Sequence, residues 1–261
     1  MIYKTPFLWA GSKDKTYKRI RDYVPEFDTY YEPFVGGGAV YFRLLARRGC
    51  FNARLSDINE DLIATYEIMR DNPDGLCNGL PPTKDREIWD NLLQSDPSSK
   101  VDRAIRFLYL NRNRFFGLGG WMNADRYCRD HVVNRIQFFS PLMQETQLSS
   151  EGCFHFKCDS SNDFVFVDPP YPDTANESCY KIPTQDILKL NLDYLHFLCN
   201  SKASFFWIVN FHKEIKDEFA KFSDVVVEEK EWTFRKPGKM PQKSVEIYAR
   251  RKSMPFDLLF E

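Results

Sequence analysis

The sequence predicts an α/β fold: the start of a doubly wound parallel sheet, interrupted by a mainly helical stretch. Three observations point there. Residues 29–69 read as strand, glycine loop, helix, strand, acid, helix, the order in which such a sheet begins. From about residue 72 to residue 147 loop-like stretches alternate with helical pieces. Short apolar runs then return at 154–157, 164–167 and 205–210.

Taken in order, Thr29–Glu32 reads as a short strand leading into Pro33-Phe34-Val35-Gly36-Gly37-Gly38. The spacing predicts a helix over 39–48, because Val40/Leu44 and Tyr41/Leu45 pair at i,i+4 and Gly49 supplies a stop. Residues 53–56 form a second strand ending at Asp57, and Leu62, Thr65, Tyr66 and Met69 mark the next helical face. Asn72-Pro73-Asp74-Gly75, Pro81-Pro82 and Ser95-Asp96-Pro97-Ser98-Ser99 read as loops, 101–110 as a helix, and 111–121 as a glycine-rich aromatic tract. The unbroken apolar run 164–167 reads as a buried strand. A helix presenting Ile215, Phe219 and Phe222 precedes a strand over 225–228, and 245–249 reads as a closing antiparallel edge strand.

At 261 residues the chain fits one large α/β domain, or one domain with a substantial insertion. A hydrophobic content of 43% supports a core, and a net charge of −1 means that any nucleic-acid contact needs a local basic face. The seven cysteines are odd in number, scattered and without a C-x-x-C, which argues against a disulfide framework or zinc site and fits a reducing cytosol. Cys153 and Cys158 read as ordinary thiols. No signal-like segment opens the chain, and the longest apolar stretch, about 203–211, is too short for a bilayer. A soluble, cytoplasmic protein without metal or membrane partner is expected.

Asp168-Pro169-Pro170-Tyr171 is the most informative motif. It closes the run 164–167, so a buried strand delivers a carboxylate, two rigid residues and a ring to one end. An ionised Asp offers only acceptor oxygens, suited to an exocyclic amine. Prolines fix φ and donate no N–H to compete. Tyr171 supplies a stacking face. A plain proline turn is the competing reading. The three glycines between strand and helix permit close backbone approach to a ligand. Asp57 lies 21 residues beyond Gly36, where a nucleotide-binding fold grips ribose hydroxyls. It could equally be a helix N-cap, with Glu60 at capping-box spacing. Because Ala39 and Tyr41 break G-x-G-x-x-G, a small adenosyl cofactor fits better than a dinucleotide. In Trp9-Ala10-Gly11-Ser12-Lys13, the lysine can pair with a carboxylate and the tryptophan can cover an apolar or sulfonium group. A frayed N-terminal tail is the alternative.

Together these segments resemble the Dam-type DNA adenine-N6 methyltransferases (D12 class, alpha group). The motifs run in family order: W-A-G-x-K from Trp9 to Lys13, F-x-G-G-G from Phe34 to Gly38, and S-D-I-N-x-D-L-I from Ser56 to Ile63. L-Y-L-N-R from Leu108 to Arg112, D-P-P-Y and V-E-I-Y-A from Val245 to Ala249 follow. The resemblance implies S-adenosylmethionine as cofactor, double-stranded DNA as partner, and a Rossmann-like methyltransferase sheet carrying a helical target-recognition insertion. It implies a catalytic domain of residues 1–71 and 148–261 and a recognition domain of 72–147. Cofactor contacts carry over to Trp9, Ala10, Gly11, Lys13, Phe34, Gly36, Gly37, Gly38, Ala39, Asp57 and Ile58, with Asp159 and Asp168. Lys13 would face the cofactor carboxylate, Asp57 the ribose, and Asp159 the adenine amine; a plain loop aspartate is the other reading of Asp159. The catalytic set is Asp168, Pro169, Pro170 and Tyr171, acting on a flipped base. Asp at the head of that motif accompanies adenine in the wider family, with cytosine N4 or RNA as alternatives, and a catalytically inactive DNA-binding regulator as another. No metal is implied, and a monomer or weak dimer is expected.

Between Lys100 and Arg135 eight basic residues face three acidic ones, an excess of five positive charges with aromatics interleaved. Arg112, Asn113, Arg114, Trp121, Asn123 and Arg126 are the DNA-contact candidates, while Arg103 and Arg106 fit a solvated helical face. The basic stretch 235–239 with Lys243 reads either as a loop at the DNA backbone or as a hairpin tip. After Gly117-Leu118 the chain departs from the polar hairpin common in the family, so GATC is the target only by analogy.

Overall fold

The structure, a computed structural model, describes residues 4–13, 17–114, 122, 127–172, 183–234 and 242–251. In chain order its elements begin with α1 (Tyr17–Ile20), β1 (Thr29–Glu32), α2 (Ala39–Arg48), β2 (Asn52–Ser56) and α3 (Glu60–Asp71). Four helices follow: α4 (Pro73–Gly79), α5 (Arg86–Gln94), α6 (Lys100–Asn113) and α7 (Arg129–Phe139). Then come β3 (Thr146–Ser149), β4 (Asp163–Val167), α8 (Thr184–Cys199), β5 (Ser204–Asn210), α9 (Lys213–Phe219), β6 (Val225–Phe234) and β7 (Gln242–Arg251). Two compact units share them, one of residues 1–18 and 35–155, the other of 19–34 and 156–261.

In the first unit β2 and β3 pair in parallel, from Ala53 opposite Thr146 to Ser56 opposite Ser149. The helix α2 buries Val40, Tyr41, Leu44 and Leu45, and stops where the Gly49 N–H donates to the Leu45 carbonyl. Asn59 caps α3 by accepting from the Leu62 N–H, and Glu60 and Asp61 place negative charge in its first turn. The expected loop at Asn72-Pro73-Asp74-Gly75 is instead the start of α4. Asn72 accepts from the Gly75 N–H and Pro73 occupies the first turn, where its missing N–H costs nothing.

In the second unit the strands run β1-β4-β5-β7-β6. The first three are parallel, with Tyr31 opposite Val165 and Val167 opposite Trp207. All of β4, and Phe205 to Val209 of β5, are buried, which explains their unbroken apolar runs. β1 pairs with β4, a strand far along the chain. This is the order reversal of an α/β sheet at which ligands bind beyond the strand carboxyl ends. The fold is therefore the α/β, Rossmann-like class.

Two strand readings are corrected. Residues 154–157 form no strand, with Phe154 46% exposed; the strand preceding β4 is β3, which straddles the end of the stretch read as loops and helices. Four residues lack the length to distinguish a strand from an extended turn, and only the pairing with β2 decides. The closing strand β7 is not at the edge. It lies between β5 and β6, because the chain returns from β6 as a hairpin partner and inserts beside β5; β6 is longer than the expected 225–228 and forms the edge.

No helix among the described residues is long and apolar enough to cross a membrane. The six described cysteines are free thiols. Burial pushes those of Cys153, Cys158 and Cys199 up to about 12, far from the thiolate range that reactive cysteines need.

Candidate active site

The glycine loop of the first unit is held from several directions. The Gly36 N–H donates to Asp57 Oδ2 at 3.0 Å, Tyr66 Oη donates to the Gly36 carbonyl at 3.0 Å, and Thr5 Oγ1 donates to the Gly37 carbonyl at 2.5 Å. Gly36 and Gly38 have φ of 46° and 61°, left-handed conformations that strain any other residue. Space gives the same answer. A Cβ on Gly36 would lie 2.5 Å from Trp9 Nε1, and one on Gly38 would lie 2.4 Å from the Tyr66 hydroxyl. Trp9 thus lies directly over the loop, and beneath it Phe42 stacks on Tyr66 at 5.8 Å while Phe7 meets Tyr66 at 4.8 Å.

In the segment Trp9-Ala10-Gly11-Ser12-Lys13 the two ends are held, Trp9 over the glycine loop and Lys13 buried, while Gly11 and Ser12 are exposed, which argues against a frayed tail. Ser12 N–H donates to the Trp9 carbonyl, and Lys13, 6% exposed, donates from Nζ to the Gly11 carbonyl at 3.1 Å. Asp57 is not an N-cap either, since Asn59 caps α3. Its carboxylate accepts from Gly36 through Oδ2 and from the Asn59 N–H through Oδ1, also at 3.0 Å. Burial raises its pKa, and the two N–H bonds oppose that rise. Each oxygen keeps a second lone pair. Ala39 is buried at the start of α2, and Ile58 beside Asp57 is 64% exposed.

In the second unit β4 ends at Val167 and leads into Asp168-Pro169-Pro170-Tyr171, at the same carboxyl end of the strands as the end of the parallel β1. Tyr171 Oη donates to Asp168 Oδ1 at 3.0 Å. Burial, then the adjacent Asp168 carboxylate, then Glu246 push the Tyr171 hydroxyl well above its ordinary pKa. It therefore stays protonated and acts as a donor. Beyond the β1 end, Phe34 meets the Tyr194 ring edge-on at 5.5 Å. Asp159 is exposed in the turn after buried Cys158 and does not follow the strand expected before it.

Supporting residues escaped the sequence reading. Asn191 of α8, fully buried, donates from Nδ2 to the Pro170 carbonyl at 3.1 Å and to the Ile187 carbonyl at 2.8 Å. A polar residue on the apolar stripe Ile187, Tyr194, Leu195, Leu198 was a usable signal for it. Asn111 binds the Leu8 backbone twice, accepting from its N–H at 2.9 Å and donating to its carbonyl at 2.8 Å. Nothing local in L-Y-L-N-R announces that contact. Glu32, 3% exposed at the end of β1, accepts from the Tyr30 hydroxyl at 2.7 Å.

The basic tract is mostly structural. Arg103, with a side chain 36% exposed, pairs with Asp61 at 2.8 Å on the outer face of α6, as the solvated-face reading expects, whereas Arg106 donates to the Leu92 carbonyl at 2.8 Å and is partly committed to the protein. Lys100 pairs with Glu67 at 3.0 Å. Arg129 donates to the Leu80 and Cys77 carbonyls, and Arg135 to that of Thr5. Arg112 and Asn113 are buried, Asn113 donating back to the Tyr109 carbonyl. Arg114 lies 5.9 Å from the Trp89 ring, its pKa lowered first by burial and then by Arg106. Trp121, Asn123, Arg126 and the stretch 235–239 lie outside the described residues. Among the described residues no group of three His, Cys, Asp or Glu is placed to hold a metal ion.

The chain is similar to the Type II methyltransferase M1.LlaDCHI of Lactococcus lactis subsp. cremoris, 29% identical over 204 residues, 69% of this chain and 70% of that one. It is 28% identical over 193 residues to the DNA adenine methylase of Vibrio cholerae serotype O1, covering 66% and 68% of the two chains. The DNA N-6-adenine-methyltransferase of Escherichia phage P1 is 28% identical over 195 residues, 65% of this chain but 24% of that protein. The family's sequence model matches residues 9–232, from the tryptophan over the glycine loop to the edge strand β6: the chain belongs to the D12 class N6 adenine-specific DNA methyltransferase family.

Proposed function

We propose that Asp168, Pro169, Pro170 and Tyr171 receive a flipped adenine of duplex DNA and direct methylation to its N6. The observation carrying this reading is the fixed group at the end of β4: the Tyr171 hydroxyl on the Asp168 carboxylate, with the Pro170 carbonyl tied to Asn191. The protein is an S-adenosylmethionine-dependent DNA methyltransferase, as its family is. The cofactor supplies an electrophilic methyl group on sulfonium. The donor set fits it: the buried amine of Lys13, the acceptor carboxylate of Asp57, an aromatic Trp9 and a glycine loop without side chains. Lys13 would hold the cofactor carboxylate, Asp57 the ribose hydroxyls and Asp159 the adenine amine, with Phe34, Ala39 and Ile58 as further cofactor contacts.

The amine of adenine is a weak nucleophile because its lone pair is delocalised into the ring. Asp168 and the Pro169 carbonyl would accept its two hydrogens and localise that pair. Asp168 would also stabilise the positive charge growing on nitrogen, a preorganised electrostatic effect. Fixed alignment of the two reactants supplies further acceleration. Tyr171, held to Asp168, would present its ring to the base once flipping, costing about a few kcal/mol, has freed it from the duplex.

Residues 72–147 would serve target recognition. Arg114 is the described residue best suited to DNA, half-buried but not committed to an acidic partner. A short GATC-type duplex is the first target to test, and a cytosolic monomer or weak dimer the form expected. The decisive experiment transfers labelled methyl groups to unmethylated duplex DNA and maps product base by base. N6-methyladenine in one short motif, lost in Asp168→Ala, is the expected result; label on cytosine or on RNA alone would refute the substrate assignment.

A further inference from the structure

We infer that Asn111 is the positioning residue that sets the N-terminal cofactor segment, an inference that rests on the cofactor reading above. Leu8 immediately precedes Trp9, and its N–H and C=O are both bound by the one carboxamide of Asn111, at 2.9 and 2.8 Å, across 103 residues of chain. The pair reproduces the two-bond exchange of an antiparallel strand pair, with a side chain in place of the second strand. Asn111 is 1% exposed, so nothing else replaces those bonds if they are lost. On the segment's two sides, Phe7 meets Tyr66, and Trp9 covers Gly36 and Gly37 closely enough that a Cβ on either would lie within 3 Å of it. A shift of Leu8 therefore moves Trp9 over the glycine loop and Lys13 behind it. The amide is selective as well as buried. Rotating it to exchange oxygen and nitrogen would place donor against donor and acceptor against acceptor, so one alignment of Leu8 is satisfied.

The test uses Asn111→Asp, which keeps an acceptor for the Leu8 N–H but sets a second oxygen against the Leu8 carbonyl. Tyr109→Phe serves as the control: it lies on the same helix and loses the hydroxyl bound to Thr83 and Asp85 without touching Leu8. Asn111→Asp should raise the Kd for S-adenosylmethionine by calorimetry, and its KM, by roughly tenfold, with kcat at saturating cofactor within about threefold. Tyr109→Phe should lower Tm without raising that KM. Wild-type protein that binds no S-adenosylmethionine would remove the cofactor reading and this inference with it. If the wild type binds it and Asn111→Asp binds it equally well, or Tyr109→Phe raises KM as much, the inference alone is overturned and Asn111 is merely structural.

Discussion

The glycine loop and the proline loop, the two halves of the proposed site, reach a fixed shape by opposite means. Gly36-Gly37-Gly38 has little intrinsic preference, and its conformation is imposed by Trp9, Tyr66, Thr5 and Asp57. Asp168-Pro169-Pro170-Tyr171 is stiff before it folds, and among its described contacts are the Tyr171–Asp168 bond and Asn191. A loop that must let a cofactor's atoms come close has to give up its side chains and borrow order from neighbours. A loop that must aim one carboxylate can carry its order in its own rings. Damage to the first should appear in binding and stability, damage to the second in turnover.

The sharpest break would come from Asp168→Ala, expected to lower kcat by at least about 10²–10³-fold while DNA binding in a gel-shift titration stays near wild type. Gly38→Ala should cost about 1–3 kcal/mol in a chemical melt, because the Cβ meets Tyr66 at a left-handed backbone position; an unchanged melt would show that the loop is not held as described. Asp57→Asn should weaken S-adenosylmethionine about tenfold by calorimetry, with less effect on DNA. The pH dependence sharpens this test. The folded-state pKa of Asp57 is raised, so its contribution to stability is larger at low pH and declines as pH rises from the ordinary carboxylate value to the raised one. Cofactor affinity should run the other way, falling on acidification through that window as the acceptor is protonated, and Asp57→Asn should lose this dependence. Arg114→Ala should reduce the salt slope of DNA binding by about one unit, and an unchanged slope would move the phosphate contact elsewhere. The smallest effect belongs to Pro170→Ala, about 0.4–1 kcal/mol of stability through the freer unfolded chain.

Much of this was legible in the chain because it is local. The strand–glycine–helix–strand start, the Gly49 stop of α2 and the buried runs of β4 and β5 depend on neighbours within a few residues. Asn72-Pro73-Asp74-Gly75 shows the limit of local reading: the same residues suit a turn and a capped helix start, and packing chose the helix. The charge count over 100–135 is harder to read. Arginine is the natural donor for stray carbonyls as well as for phosphate, and sequence does not say which acceptor lies within reach. Arg106, Arg129 and Arg135 serve carbonyls.

By itself the sequence determined the fold class, the order of the motifs and the rigidity of Asp168-Pro169-Pro170-Tyr171, since residue type and short spacing suffice for each. Only the tertiary structure decided that Asn111 binds Leu8 across 103 residues, that Asn191 ties the Pro170 carbonyl, and that β7 lies between β5 and β6. Those contacts join partners far apart along the chain. A buried amide or strand edge takes whichever complementary group the rest of the fold brings within about 3 Å, and no local pattern records which group that will be.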